Sequence, residues 1–184
     1  MPPLVARMST RAKSSSSSVI LFNEKRLVGH SCSQMFQVVS DVENYHQFVP
    51  YCRRSVVTLR KPTMLSANLV VGFQPLLNVS YTSHVTLVEP HLVTAVCRDT
   101  GMFQHLKTVW KLVPAEEDPT ACVIDFAVSF AFVNPNHSYI AKVFLNSIVR
   151  ENVAAFISRA EQTQGPPSRP PERLSVVVNT QNSS

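Results

Sequence analysis

Between Cys122 and Phe132 the chain alternates without a break. Cys122, Ile124, Phe126, Val128, Phe130 and Phe132 fall on one side, and Asp125, Ala127, Ser129 and Ala131 on the other. A period of two sustained over that length specifies a strand with one buried face. Six earlier stretches carry weaker versions of the same pattern, at about 19–29, 51–60, 64–73, 76–88, 91–99 and 102–113, before the last at 120–133. The breaks between them hold turn and breaker residues: Lys61-Pro62, Gln74-Pro75, Glu89-Pro90, Gly101 and the acidic loop Glu116–Pro119. Connections this short join antiparallel neighbours, so the expectation is a seven-stranded meander and not a crossover-linked parallel sheet.

Helical signals flank the meander. Ser31 or Ser33 can cap a short helix carrying Met35, Phe36, Val38, Val39 and Val42, and Asp41–Phe48 reads as a second short turn stopped by Pro50. A long closing helix is expected from about Ser138 to Gln162. At ~1.5 Å per residue it would be about 37 Å long, enough to cross a sheet. Its polar stripe is narrow (Lys142, Asn146, Arg150), while Ile140, Val143, Phe144, Leu145, Ile148, Val149, Ala154, Ala155 and Phe156 are apolar. A helix lying on one sheet needs an apolar face only about 100° wide. One helix cannot fill a strongly curved seven-stranded sheet, so the pattern predicts an α+β fold enclosing an apolar space.

The charge is unevenly placed. The net +5 includes three unopposed cations in residues 1–18 (Arg7, Arg11, Lys13), whereas residues 19–164 hold 12 basic and 11 acidic side chains. The body is therefore nearly neutral and offers no strong phosphate-binding field. Residues 1–18, acid-free and serine-rich, fit either a mitochondrial targeting segment or a flexible polar tail. Residues 165–184 open with Pro166, Pro167, Pro170 and Pro171 and are expected to be disordered, leaving 19–164 as the folded domain. Cys32, Cys52, Cys97 and Cys122 have no short spacing, which argues against a zinc or redox motif.

Catalytic patterns are missing from the chain: it has no His-Glu-x-x-His, no Gly-x-Ser-x-Gly and no phosphate-binding loop, and only four glycines. The inward faces instead converge on one interior, and Val71, Phe73, Trp110, Phe126, Phe130, Phe144 and Ile148 are the candidate tunnel lining. Taken singly, each of these is ordinary core. Glu151 interrupts the apolar arc of the closing helix; it either meets a polar partner or ligand headgroup, or sits exposed at a groove mouth. Phe48, Val49, Pro50 and Tyr51 beside Arg53 and Arg54 place apolar bulk next to cations, which suits a membrane-docking loop, or else fold back on the core.

The chain resembles the mitochondrial coenzyme Q-binding proteins, a branch of the START-like (polyketide cyclase and lipid-transfer) superfamily, over roughly Val19 to Gln164. The resemblance is carried by Tyr45, Phe48-Val49-Pro50-Tyr51-Cys52, Val71-Gly72-Phe73, Tyr81-Thr82-Ser83 and Leu87-Val88-Glu89-Pro90. It continues through Phe103, His105-Leu106, Thr108-Val109-Trp110, Asp125-Phe126 and Val153-Ala154-Ala155-Phe156. Tyr51 stands where that family usually has Trp. The resemblance implies a helix-grip fold with a hydrophobic tunnel, ubiquinone as bound ligand with no catalytic cofactor, and no enzymatic activity. It also implies peripheral attachment to the matrix face of the mitochondrial inner membrane and a chaperone or carrier role in respiratory electron transport and coenzyme Q biosynthesis, in contact with the complexes that perform them. Two other readings remain open at this stage: a cyclase- or hydratase-type enzyme using the same cavity, and a ribosome- or RNA-associated module.

Overall fold

The computed structural model describes residues 18–73, 77–99, 101–134 and 149–182. Within them, β1 (Ser18–Val28) leads into α1 (Cys32–Ser40), a 3-10 turn (Val42–Asn44) and α2 (Tyr45–Phe48). The meander follows as β2 (Cys52–Lys61), β3 (Met64–Phe73), β4 (Leu77–Val88), β5 (Leu92–Asp99), β6 (Phe103–Pro114) and β7 (Cys122–Phe132). Then come α3 (Arg150–Gln164) and β8 (Glu172–Asn182). The strands form one antiparallel sheet in the order β2-β3-β4-β5-β6-β7-β1-β8.

Local chemistry explains the borders. Ser31 caps α1 through a capping box: its Oγ accepts from the Gln34 backbone, and the Gln34 side chain accepts from the Ser31 N–H. Buried Met35, Phe36, Val38 and Val39 turn α1 toward the core. The alternation of β7 holds as far as Phe130, with Cys122, Ile124, Phe126, Val128 and Phe130 buried and Val123, Asp125, Ala127 and Ser129 only partly covered; beyond it Ala131, expected on the open face, is buried as well. On the far side of the sheet, Asn23 donates to Asp125 at 2.6 Å and Lys25 pairs with Asp125 at 3.4 Å. His105 and His84 also lie there, hydrogen-bonded to Ser129 and Ser66 respectively.

The strand count needs one correction. Residues 172–182, expected to be part of a disordered tail, form an eighth strand beside β1. The prolines exclude helix, but they end at Pro171, and the β-branched run Val176–Val178 that follows suits a sheet edge. The connector is tightly seated: Ser168 N–H donates to the Gly29 carbonyl at 2.8 Å. Gly29 permits this approach, since a Cβ there would stand 2.4 Å from the Arg169 nitrogen. Arg173 then reaches the fully buried Glu24, 3.0 Å away, and Arg26 bonds the same carboxylate oxygen. Two guanidiniums thus compensate a carboxylate that burial alone would penalise. Residues 138–148, expected from the sequence to open the closing helix, and residues 1–17 lie outside the described residues.

Candidate functional site

The interior is not uniformly filled. Toward its C-terminal end α3 buries Ile157 and Ala160, with the core continuing through Val28, Cys32, Met35, Val39, Leu112 and Ile124. Toward its N-terminal end the helix instead faces an apolar cavity between itself, the sheet and the segment 42–52. The cavity gives a volume of about 130 Å³ to the centre of a water-sized sphere. Leu69, Val71, Val79, Tyr81, Val85, Val93, Ala95, Cys97, Leu106, Trp110, Phe126 and Val128 contribute from the strands. Val149, Asn152 and Phe156 contribute from the helix, and Val42, Tyr45, Val49 and Pro50 from the short segment between α1 and β2.

An aromatic cluster props this space open. Phe156 of α3 meets Trp110 at 4.6 Å, Phe48 at 5.0 Å and Tyr45 at 5.2 Å between ring centroids, and Trp110 meets Phe126 at 4.4 Å. Such contacts fix the rings in tilted and edge-on geometries, so the wall is rigid where it is most apolar. Outside the cluster, the Arg159 guanidinium lies 5.2 Å over the Phe48 ring and donates to Gln47 at 2.8 Å, tying α3 to α2.

Few polar groups reach the cavity. The Tyr45 hydroxyl is already committed, donating to the Val39 carbonyl. Desolvation raises the pKa of both Tyr45 and Tyr81, and burial pushes the Cys97 thiol up to about 12 and raises Cys52 too. All four stay neutral at physiological pH. Ser83 and Thr108 complete the hydroxyls. Asn152 differs in kind. Its side-chain oxygen is buried on the cavity wall and has no hydrogen-bond partner. A buried acceptor in that state forfeits about 1–3 kcal/mol, which a ligand hydrogen-bond donor would recover.

Of the candidates drawn from sequence, Val71, Trp110 and Phe126 lie on the cavity wall. Phe130 shares their strand face but is fully buried, 5.6 Å from the Phe132 ring, and is not among the wall residues. Phe144 and Ile148 lie outside the described residues, and Phe73 ends β3 with its side chain undescribed. Glu151 requires a correction: it is exposed, and the polar group turned to the cavity is its neighbour Asn152. A helix advances about 100° per residue, so an error of one position moves a side chain from wall to solvent. In the loop before β2, Val49 and Pro50 are half-buried wall residues and Phe48 folds onto the aromatic cluster. Tyr51, Arg53 and Arg54 are exposed, and Tyr51 takes a left-handed backbone (φ 64°) at the turn into β2. Sequence reasoning overlooked Tyr45, Phe156 and Asn152 as wall residues. Phe156 stood in the apolar helical pattern, but Asn152 carries no local signal.

A single helix laid across a concave antiparallel sheet, with an apolar chamber under one end of it, defines a helix-grip protein of the START type. The chain belongs to the polyketide cyclase / dehydrase and lipid transport family, whose model matches residues 28–157. It is 46% identical over 148 residues to the mitochondrial coenzyme Q-binding protein of Drosophila melanogaster, covering 80% of this chain and 61% of that protein. To the mitochondrial coenzyme Q-binding protein homolog B of Xenopus laevis it is 40% identical over 147 residues, covering 79% and 60%. The resemblance drawn from the sequence is thereby borne out, and the chain spans about three fifths of the length of these two relatives. A START superfamily protein from Mycobacterium smegmatis shares the fold at a TM-score of 0.66 and 18% identity, covering 78% of this chain and 98% of that one. No helix among the described residues is long and apolar enough to cross a membrane.

Proposed function

We propose that this chain binds coenzyme Q in the cavity beneath α3 and carries or presents it at a membrane surface, acting as a binding protein and not as an enzyme. The observation that carries this reading is an apolar chamber with one buried, unpartnered side-chain oxygen on its described wall, Asn152 Oδ1. A quinone needs a hydrocarbon lining for its tail and ring and one or two polar contacts for its oxygens, and the unpartnered Asn152 Oδ1, an acceptor, can take a hydrogen bond from the hydroxyl of the reduced quinol. The names of the animal relatives support the same ligand and a mitochondrial setting. Within that setting, the matrix face of the inner membrane is where the protein would serve electron transport and coenzyme Q biosynthesis.

Energetics favour an exchanger over a tight carrier. Withdrawing tail carbon from water yields ~0.8 kcal/mol per CH₂, but a tail already dissolved in a bilayer gains almost none of that on entering a protein. Shape and headgroup contacts must supply the preference, so loading and release both occur at the membrane. Exposed Tyr51, Arg53 and Arg54 beside the wall residues Val49 and Pro50 suit contact with an anionic lipid surface. Acid–base chemistry would need two titratable groups converging on a substrate. The described wall residues include no carboxylate, histidine or lysine, and their tyrosines and thiols are held neutral. The nearly neutral body likewise gives an RNA-binding role no support.

Mass spectrometry of lipids extracted from the purified chain tests the proposal. Ubiquinone retained in preference to phospholipid is the expected result. Phospholipid or fatty acid in its place would overturn the ligand assignment.

A further inference from the structure

The sheet has two free edges among the described residues, and they are chemically opposite. Edge strand β2 carries Arg53, Arg54, Arg60 and Lys61 within ten residues. Edge strand β8 has no charged residue from Leu174 to Gln181, and it exposes Leu174 (49%), Val176 (38%), Val177 (46%) and Val178 (45%) to solvent. Edges protected against pairing usually carry charge, proline or a bulge facing outward. β2 is protected in that way. In β8 the only irregularity faces β1, at the register shift between Lys25 and Arg26.

We infer that β8 pairs with β8 of a second copy of this chain, antiparallel and about a two-fold axis at Val177. The strand runs from Glu172 to Asn182, so Val177 is its midpoint. Pairing about that residue sets Val177 against its own mate, Val176 against Val178, and Ser175 against Asn179. Valines exposed on both faces of the strand would then find valine partners on both faces, the kind of cross-strand pair that stabilises a sheet. No two like charges are brought together. The same operation on β2, about its midpoint between Val56 and Val57, would set Arg53 against Arg60, a like-charge pair directly opposed. Charge therefore permits self-pairing at one edge and opposes it at the other.

A two-fold contact between identical edges closes on itself, giving dimers and not fibres. One strand pair buries less than the ~1,600 Å² of a standard interface, so the dimer should be reversible and concentration-dependent. Val177 lies on the convex side of the sheet with Leu21, Asn23, Ala127 and Asn179, away from the cavity wall. Pairing at β8 therefore leaves the ligand chamber unobstructed and does not depend on what that chamber holds.

Sedimentation velocity on the full chain over a concentration series tests the inference. The wild type should pass from monomer to dimer with no larger species. Val177→Lys places an ammonium against its own symmetry mate and should weaken association about tenfold with an unchanged circular dichroism spectrum. Val177→Thr keeps the β-branched shape and should dimerise like the wild type. Should Val177→Lys fail to fold, Val177→Cys decides the matter: mild oxidation should yield a covalent dimer joined at that position, as the close approach of opposed strands allows. A wild type that stays monomeric up to its solubility limit overturns the inference and leaves the edge to a strand of another protein. A dimer that survives Val177→Lys in a folded chain, or open-ended assembly, overturns it as well.

Discussion

The two ends of α3 rest on the same sheet and meet opposite conditions. Ile157 and Ala160 are buried in the apolar cluster that also holds Val28, Cys32, Met35 and Leu112, none of them on the cavity wall, while around Val149, Asn152 and Phe156 the helix roofs an apolar chamber. Both ends read alike in sequence, since alternation and helical period report which way a side chain points and not whether anything meets it. Volume decides the difference. α1, whose Met35 and Val39 are fully buried, packs against α3, and at the hollow end the aromatic ring contacts of Phe156 hold the roof above the sheet. Stability and binding are thus assigned to different stretches of one helix.

Substitutions separate the two ends, and the largest effect is expected where packing is complete. Leu112→Ala should cost about 2–5 kcal/mol in a denaturant titration, because the neighbours cannot collapse into the space. Val71→Ala, on the hollow side, enlarges a chamber that already exists and should cost less than about 1 kcal/mol with coenzyme Q still bound. Equal losses at the two sites would erase the distinction. Phe130→Trp sharpens it further. Phe130 is buried among its neighbours and off the wall, so the larger ring should overpack the core by about 1–3 kcal/mol without displacing ligand from the folded protein.

An effect on membrane contact and not on stability is expected outside the hollow end. Arg53→Gln with Arg54→Gln should leave thermal stability unchanged and weaken sedimentation with cardiolipin-containing vesicles by ~1 kcal/mol per residue at low salt. The loss should fade as salt screens the surface. Vesicle binding equal to the wild type at low salt would remove these arginines from the docking surface.

Much of the architecture was readable in advance for a physical reason. β3 runs over Met64–Phe73 and β7 over Cys122–Phe132, both where period-two alternation is strong and breakers are clear. Ser31 capped its helix because a hydroxyl three residues before Gln34 satisfies local N–H groups without help from tertiary structure. β8 was missed because its pairing is non-local: nothing in Val176–Val178 announces that β1 has an open edge or that Glu24 needs Arg173. The site was legible in its strand residues Val71, Trp110 and Phe126, whose facing follows from parity. On the helix, the sequence pointed to Glu151 and missed Asn152, one residue of phase away, because an apolar arc this wide does not fix the phase.

Asn152→Leu tests the central claim most directly, because it separates a binding group from a structural one. An amide that waits for a ligand is a liability in the empty protein and an asset in the loaded one. The ligand-free variant should therefore be more stable than the wild type by about 1 kcal/mol, through relief of an unpartnered buried polar group. Its affinity for the reduced form, the quinol, should fall about tenfold, the equivalent of one lost hydrogen bond of ~1.4 kcal/mol. Thermal unfolding of the ligand-free chain and titration of the same preparation with the quinol provide both numbers. A less stable variant that binds the quinol as tightly as the wild type would contradict the account, making Asn152 part of the scaffold and leaving the cavity without its polar anchor.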